Sequence, residues 1–283
     1  MIVEAQKADE PALNAYLAKH FATSMFMRGN LRDFGLANTE APYAMRYFIR
    51  YAGEHITGVG ALANIGAIML QADENRAEIV EHIAHVLPKN FAPHAITGAP
   101  EQVLALVKGL GFGALPTKMN DIEPLFVLKK AGLRVPEMDG FSLRASSMED
   151  LPLLSAWNHS YNMEVLGESD TEATRHTMHT NAIRTIERGH QRVLIKNGEI
   201  VAQTNFNAVM PDAVQVGGVY TPPAKRGQGF ARRAVGAHLA EAFAGSVQNA
   251  ILFSASDAAS KAYRAVGFER IGEYQIILFG ESA

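Results

Sequence analysis

The sequence predicts an α+β protein of two domains, and three observations predict it. A chain of 283 residues has the length of about two domains of roughly 100 to 200 residues each. Its apolar segments switch repeatedly between the alternation of strands and the three-to-four spacing of amphipathic helices. In the second half a Val- and Tyr-rich strand, a basic glycine-rich loop and a helix follow one another from Val216 to Phe243, whereas the comparable place in the first half holds no glycine.

The first half is read in order. Ile2 to Ala5 is a short strand; Asp9 is placed to cap a helix that carries Pro11 in its first turn and buries Leu13, Tyr16 and Leu17. A second helix holds Phe21, Met25 and Phe26. Met45 to Tyr51, His55 to Leu62 and Ile65 to Leu70 are three antiparallel strands joined through Gly53-Glu54 and Ala63-Asn64. Ile79, Ile83, Val86 and Leu87 mark a helix ended by Pro88. His94 to Thr97 is a strand, Val103 to Leu110 a helix, and Leu125 to Leu128 the last strand of this half. Between the third meander strand and its helix stand Asp73 and Glu74, whose charge would repel an anion. Lys129 to Pro136 combines charge, glycine and proline and predicts the junction, which divides the chain into domains 1–132 and 133–283.

The second half opens with strand Phe141 to Arg144. Ser147 and Asp150, three apart, form a capping pattern before a helix containing Leu151, Leu154 and Trp157. Tyr161, Glu164 and Glu168 lie just beyond, and a charged helix from about Thr171 to Arg188 ends at Gly189. Arg192 to Lys196 and Glu199 to Asn205 flank Asn197-Gly198, a strong hairpin signal. Strand Val214 to Tyr220 stops at Pro222-Pro223. After the loop, Val235, Leu239, Ala242 and Phe243 give the stripe of an amphipathic helix. Ile251 to Phe253 is a short strand, Ala258 to Val266 a helix closed by Gly267, and Tyr274 to Phe279 the last strand.

The loop itself carries chemistry. Free N–H groups at a helix start, with Gly227 and Gly229 allowing close approach to the main chain, make a place for phosphate oxygens, and Lys225, Arg226, Arg232 and Arg233 add positive charge. A nucleotide-hydrolase phosphate loop needs Lys then Ser or Thr after its last glycine, where this chain has Phe230 and Ala231. A dinucleotide fingerprint needs three spaced glycines and an acidic residue roughly 20 positions on, and Glu241 comes too early. The remaining pattern, Arg226-x-x-Gly229-x-Ala231 preceded by Val219-x-Thr221-x-Pro223, resembles the acetyl-CoA signature of the GNAT acyltransferases. Ser256-x-x-Ala259-x-x-x-Tyr263-x-x-x-Gly267-Phe268 resembles that family's later motif, with Ser256 where an asparagine is usual. The element order of the first half resembles the same fold without its cofactor loop. The resemblance thus implies two tandem GNAT-like domains, each a mixed, mostly antiparallel sheet flanked by helices, the first a degenerate copy.

What the resemblance implies for function is direct transfer of the acetyl group of acetyl-CoA to an amine of a small molecule or peptide. It places the cofactor on Val219, Tyr220, Thr221, Arg226, Gly227, Gln228, Gly229, Phe230 and Ala231, with Ser256 and Ser260 from the later motif. Tyr263 matches the tyrosine near the CoA sulfur and is the candidate acid, the other reading being a ring packed under the last strand. Glu164, beside the region that covers the acceptor in similar proteins, is the candidate base, set against an ordinary solvated carboxylate. Gln203 and Asn205 share one strand face, open equally to acceptor and to solvent. Two other functions remain in play, a CoA-binding sensor or scaffold and transfer of a longer acyl chain.

Charge and composition bound the rest. A net charge of −3 gives no footprint for nucleic acid. No apolar run approaches the roughly 20 residues that span a bilayer. No cysteine is present, so disulfides and thiolate chemistry are excluded, in keeping with a cytoplasmic chain. His82 with His85 and His176 with His179 are spaced at i, i+3 but lack a third ligand at motif spacing, so no metal is expected. A homodimer is compatible with the sequence.

Overall fold

The computed structural model describes residues 1–36 and 40–280, arranged as two compact units. Each unit repeats one order of elements. In the N-terminal unit these are β1 (Ile2–Glu4), α1 (Glu10–Lys19), α2 (Phe21–Phe34), β2 (Met45–Ala52), β3 (His55–Ala63), β4 (Ala67–Ala72), α3 (Arg76–Val86), β5 (Ala95–Gly98) and α4 (Pro100–Gly109). After β6 (Thr117–Lys129) the order recurs as β7 (Phe141–Ala145), α5 (Leu151–Leu166), α6 (Glu172–Arg188), β8 (Gln191–Lys196), β9 (Glu199–Val209), β10 (Ala213–Tyr220), α7 (Phe230–Ala244), β11 (Asn249–Phe253) and α8 (Asp257–Val266), and β12 (Glu269–Phe279) closes the chain. The chain is therefore a tandem repeat of one α+β arrangement, in keeping with what the resemblance implied.

The Ser147 capping pattern and the Asn197-Gly198 turn act where the sequence put them, whereas Asp9 makes no side-chain cap to α1 and accepts from Gln6 instead. Both units begin with a capping box around a short turn: Gln6 N donates to Asp9 Oδ2 at 2.8 Å, and Ser147 N to Asp150 Oδ2 at 2.9 Å. Each box satisfies backbone donors that a helix start leaves free. Asn197 (φ 52°) and Gly198 (φ 79°) take the left-handed conformations that a two-residue hairpin between right-twisted strands requires.

In each unit the meander is antiparallel and one pair is parallel, β4 with β5 and β10 with β11. The sixth strand comes from the other half of the chain. Leu125–Lys129 of β6 pairs antiparallel with Asn249–Phe253 of β11, and Gln275–Leu278 of β12 with Ala95–Gly98 of β5. The sequence reading had Leu125 to Leu128 ending the first sheet and Tyr274 to Phe279 the second; the pairing is the reverse. For the same reason the units divide within strands and not at 132/133, one comprising Met1–Glu123 and a stretch beginning at Glu273, the other Pro124–Gly272.

In each unit the strands bury apolar side chains on both faces. In the N-terminal unit Leu13, Leu17 and Met27 pack on one side of the meander, and Ile79, Ile83 and Leu106 on the other. In the C-terminal unit Leu154, Trp157 and Ile186 cover one face through α5 and α6. Val235, Leu239, Val266 and Phe268, from α7, α8 and the turn after α8, form the other core with Phe126 and Leu128 of β6. The junction peptide is fixed to this second core: Arg134 N donates to Val266 O at 2.8 Å, and Pro136 lies on Gly236 of α7, where a Cβ would stand 2.4 Å from its Cδ.

Candidate active site

Strands β10 and β11 hydrogen bond only from Ala213–Gln215 against Asn249–Ile251, and beyond that β10 is paired with β9 alone among the described residues. The edge of Val216–Tyr220 that faces away from β9 is thus open to an extended ligand, which can hydrogen bond to it as a further strand would. Residues 221–229, the nine positions between the last residue of β10 and the first of α7, form the loop. Gly227 (φ 78°) and Gly229 (φ 73°) are both left-handed, and Gly229 opens α7 with no side-chain cap. The first N–H groups of α7 consequently point outward without a side-chain acceptor, where the helix dipole favours an anion.

Cations frame that helix start. A Cβ at Gly229 would lie 3.0 Å from Arg233 Nη1 and 3.4 Å from Arg232 Nη2. Arg233 is held by Glu137 O at 2.9 Å and Gln228 O at 3.2 Å, over the Phe141 ring. Lys225 is neutralised by Glu199 at 2.7 Å. Arg226 donates to Thr221 O at 2.9 Å and makes a two-pronged ion pair with Glu164, 2.7 Å on each prong. The guanidinium beside it holds the Glu164 carboxyl below the usual carboxylate range. A general base working near neutral pH needs the opposite shift.

Other side chains at the expected cofactor positions anchor the loop rather than face a ligand. Phe230 is buried with Leu194, Ala202 and Ala234, edge-on to Phe141 at 5.7 Å. Tyr220 packs on Trp157 and Tyr161 of α5, at 5.7 and 6.5 Å between ring centroids. Val219 leans on the second core, Ala231 is half-buried, and Gln228 and Gly227 are exposed. Thr221 Oγ1 is buried with no partner among the described residues. Main-chain atoms therefore dominate what the loop presents.

On α8, Ser256 serves as the helix N-cap, accepting from Ala259 N at 3.2 Å. Ser260 is buried and bonds Ser254 Oγ at 2.9 Å. Tyr263 is 8% exposed in the core with Phe126 and Val266, its ring 6.1 Å from Phe268. His238 of α7, which the sequence did not single out, lies flat on Phe206 at 3.7 Å, and burial pushes its imidazole down to about 3. Gln203 of β9 is 1% exposed and not at the surface. Its burial could not be read from an alternating polar pattern.

The corresponding place in the N-terminal unit is closed by its own side chains. Only three positions, 73–75, separate β4 from α3. Asn75 (φ 53°) keeps a left-handed helix start, yet Asp73 and Glu74 stand where the second unit has glycines and cations. Tyr16 Oη reaches Gln71 O and Asp73 Oδ2, each at 3.3 Å, and His20 Nε2 lies 3.4 Å from Asp73. Gln102 of α4 accepts from Ala72 N at 3.3 Å and donates to Ala72 O at 2.8 Å, so the end of β4 is satisfied internally. Among the described residues no group of three or more His, Cys, Asp or Glu side chains is placed to hold a metal ion, and no helix is long and apolar enough to cross a membrane.

Residues 153–268 match the family model described as the acetyltransferase (GNAT) family. Among solved structures, a GCN5-related N-acetyltransferase from Kribbella flavida aligns over 93% of this chain and 95% of its own, at 19% identity and a TM-score of 0.61. A tandem GNAT protein from the clavulanic acid biosynthesis pathway aligns over 100% and 98%, at 14% identity and a TM-score of 0.56. A GNAT-family acetyltransferase from Colwellia psychrerythraea aligns over 99% and 100%, at 13% identity and a TM-score of 0.54. Identities this low speak for the fold alone. None of the curated proteins matches the chain.

Proposed function

We propose, from the match of residues 153–268 to the acetyltransferase (GNAT) family model, that the C-terminal unit moves the acetyl group of acetyl-CoA directly to an amine of a small molecule or peptide. The observation that carries this reading is the parting of β10 from β11 immediately before a loop with two left-handed glycines at an uncapped helix start. The pyrophosphate would lie on the amides from Gly227 to Ala231, with Arg232 and Arg233 beside it. The pantetheine arm would pair along Val216–Tyr220. The thioester carbonyl would then be polarised by main-chain N–H groups near Val219 to Thr221.

The reaction needs no enzyme-bound intermediate. The neutral amine attacks the thioester carbon, forming a C–N bond; collapse of the tetrahedral intermediate breaks the C–S bond. Tyr263 donates its phenolic proton to the departing sulfur and regains one from the product nitrogen. Glu164, ionised and forked to Arg226, serves in this reading as the carboxylate that steadies the loop, and its role as a base would require release of that pair. The N-terminal unit is proposed to be a copy that lost its cofactor site, a reading supported by its three-position loop, its two carboxylates and the Gln102 closure.

Titration calorimetry with acetyl-CoA tests the assignment. The wild type is expected to bind, and Gly229→Val to lose at least tenfold in affinity, because a β-branched residue resists the left-handed backbone and its side chain meets Arg233 Nη1. Thermal melting checks that the variant is folded. Equal affinities would remove the cofactor from this loop, and binding with no transfer to any amine would leave a sensor in place of an enzyme.

A further inference from the structure

On β9, Gln203 stands opposite Tyr220 of β10 and Val193 of β8. Both partners pack with Leu154 and Trp157 of α5 and Ile186 of α6, so Gln203 belongs to the face that these two helices cover. Its Nε2 donates to Asn158 Oδ1 at 3.1 Å and to Gly218 O at 3.2 Å. A main-chain carbonyl only accepts, so the Gly218 bond fixes which end of the amide is nitrogen. Gln203 Oε1 is then a buried acceptor with no partner among the described residues. Leaving a buried acceptor unpaired is costly, so its donor comes from outside the protein, from water or from a ligand.

The next residues on the same face continue the pattern. Asn205 Nδ2 donates to Asn207 Oδ1 at 3.2 Å, while Asn205 Oδ1 is also buried and unpartnered among the described residues. Across from Asn205, β10 presents Gly217, where a Cβ would come within 2.1 Å of Asn207 Nδ2. Gly217 contributes no side chain of its own, and the space above it is taken by the Asn207 amide that Asn205 bonds. The row starts beside Tyr220, one residue before the loop proposed to hold the cofactor.

We infer that Gln203 and Asn205 form an acceptor-recognition subsite that takes hydrogen-bond donors, so that the preferred substrate is an amine carrying an uncharged hydroxyl or amide N–H close to its nitrogen. The inference rests on the acetyl-transfer reading above. Amide oxygens repel a carboxylate placed against them, so an amine bearing a carboxylate at the same distance is disfavoured. A plain alkylamine leaves Gln203 Oε1 unpaired in the complex, and sites built to hydrogen bond a substrate group discriminate strongly against the analogue that lacks it.

The experiment measures kcat/KM from free CoA release with ethanolamine, glycinamide, n-propylamine and glycine, alongside calorimetric binding of acetyl-CoA. Wild type, Gln203→Met and Asn205→Ala are compared, the second variant being at a half-buried position. Ratios between proteins cancel the differing basicity of the free amines. The wild type is expected to prefer ethanolamine and glycinamide over n-propylamine by about tenfold or more, the worth of one hydrogen bond. That preference is expected to collapse to within about twofold in Gln203→Met and to shrink in Asn205→Ala, with acetyl-CoA affinity unchanged in both. Preference retained in folded Gln203→Met and in Asn205→Ala overturns the subsite. Acetyl-CoA binding in the wild type without preference for the donor-bearing amines, or with transfer to none of them, overturns it while the cofactor assignment stands. Failure of the wild type to bind acetyl-CoA removes the transferase reading, and the inference falls with it.

Discussion

Tyr263 carries two tasks in one side chain, a ring packed in the core and a hydroxyl proposed to protonate sulfur. Phenylalanine keeps the first and removes the second. Tyr263→Phe is expected to retain acetyl-CoA affinity within about twofold and to slow transfer by roughly 10²–10⁴ in kcat, the range of a lost general acid; an unchanged kcat would leave the tyrosine a packing residue. His238 has a different logic. Its folded pKa of about 3 lies below the ordinary 6.5 because burial penalises the charged ring. Between those values the unfolded chain binds a proton that the folded chain does not, so stability is lost as pH falls through that window, by at most about 1.4 kcal/mol per pH unit. Urea unfolding of the wild type is expected to weaken from neutral pH to about pH 5, and His238→Leu to show a shallower decline. Both residues were in view in the sequence, but only Tyr263 stood in a recognisable spacing. Nothing in the run around His238 distinguishes a buried imidazole from a surface one.

Helix α7 shows how an element is placed by contacts at both ends. Its start is fixed by Phe230 in the core and by the left-handed Gly229, and its middle by Pro136 lying on Gly236. Gly236→Ala gains about 1 kcal/mol of helix propensity. It also forces a Cβ to within 2.4 Å of a proline ring that cannot rotate away. Overpacking of this kind costs about 1–3 kcal/mol, so a net loss is expected in the urea midpoint; a gain would mean that the junction moves freely. The loop, the hairpin at Asn197-Gly198 and the capping box at Ser147 were legible because each depends on residues near one another in sequence. The closure of β4 by Gln102 was not, since it joins distant residues whose approach depends on helix packing.

At the scale of the whole molecule the exchange of final strands makes the two halves of the chain interdependent. Tyr274 and Ile277 of β12 are 1% and 4% exposed, and Tyr274 Oη donates to Thr97 of β5 at 3.2 Å. Ending the chain at Gly272 removes the strand that pairs with β5, while both strands that flank β11, β10 and β6, stay in place. Hydrogen exchange is expected to lose protection at Ala95–Gly98 in that truncation and to keep it at Asn249–Phe253. The opposite pattern would restore the contiguous division at 132/133. By itself the sequence determined the α+β class, the repeated order of strands and helices, and the glycine loop on one repeat alone, because periodicity and turn chemistry are local. Tertiary structure decided which strand completes which sheet, that Glu164 is locked to Arg226, and that Gln203 is buried. Those outcomes depend on hydrogen bonds and desolvation between segments far apart in the chain, where the same residues would read equally well as surface.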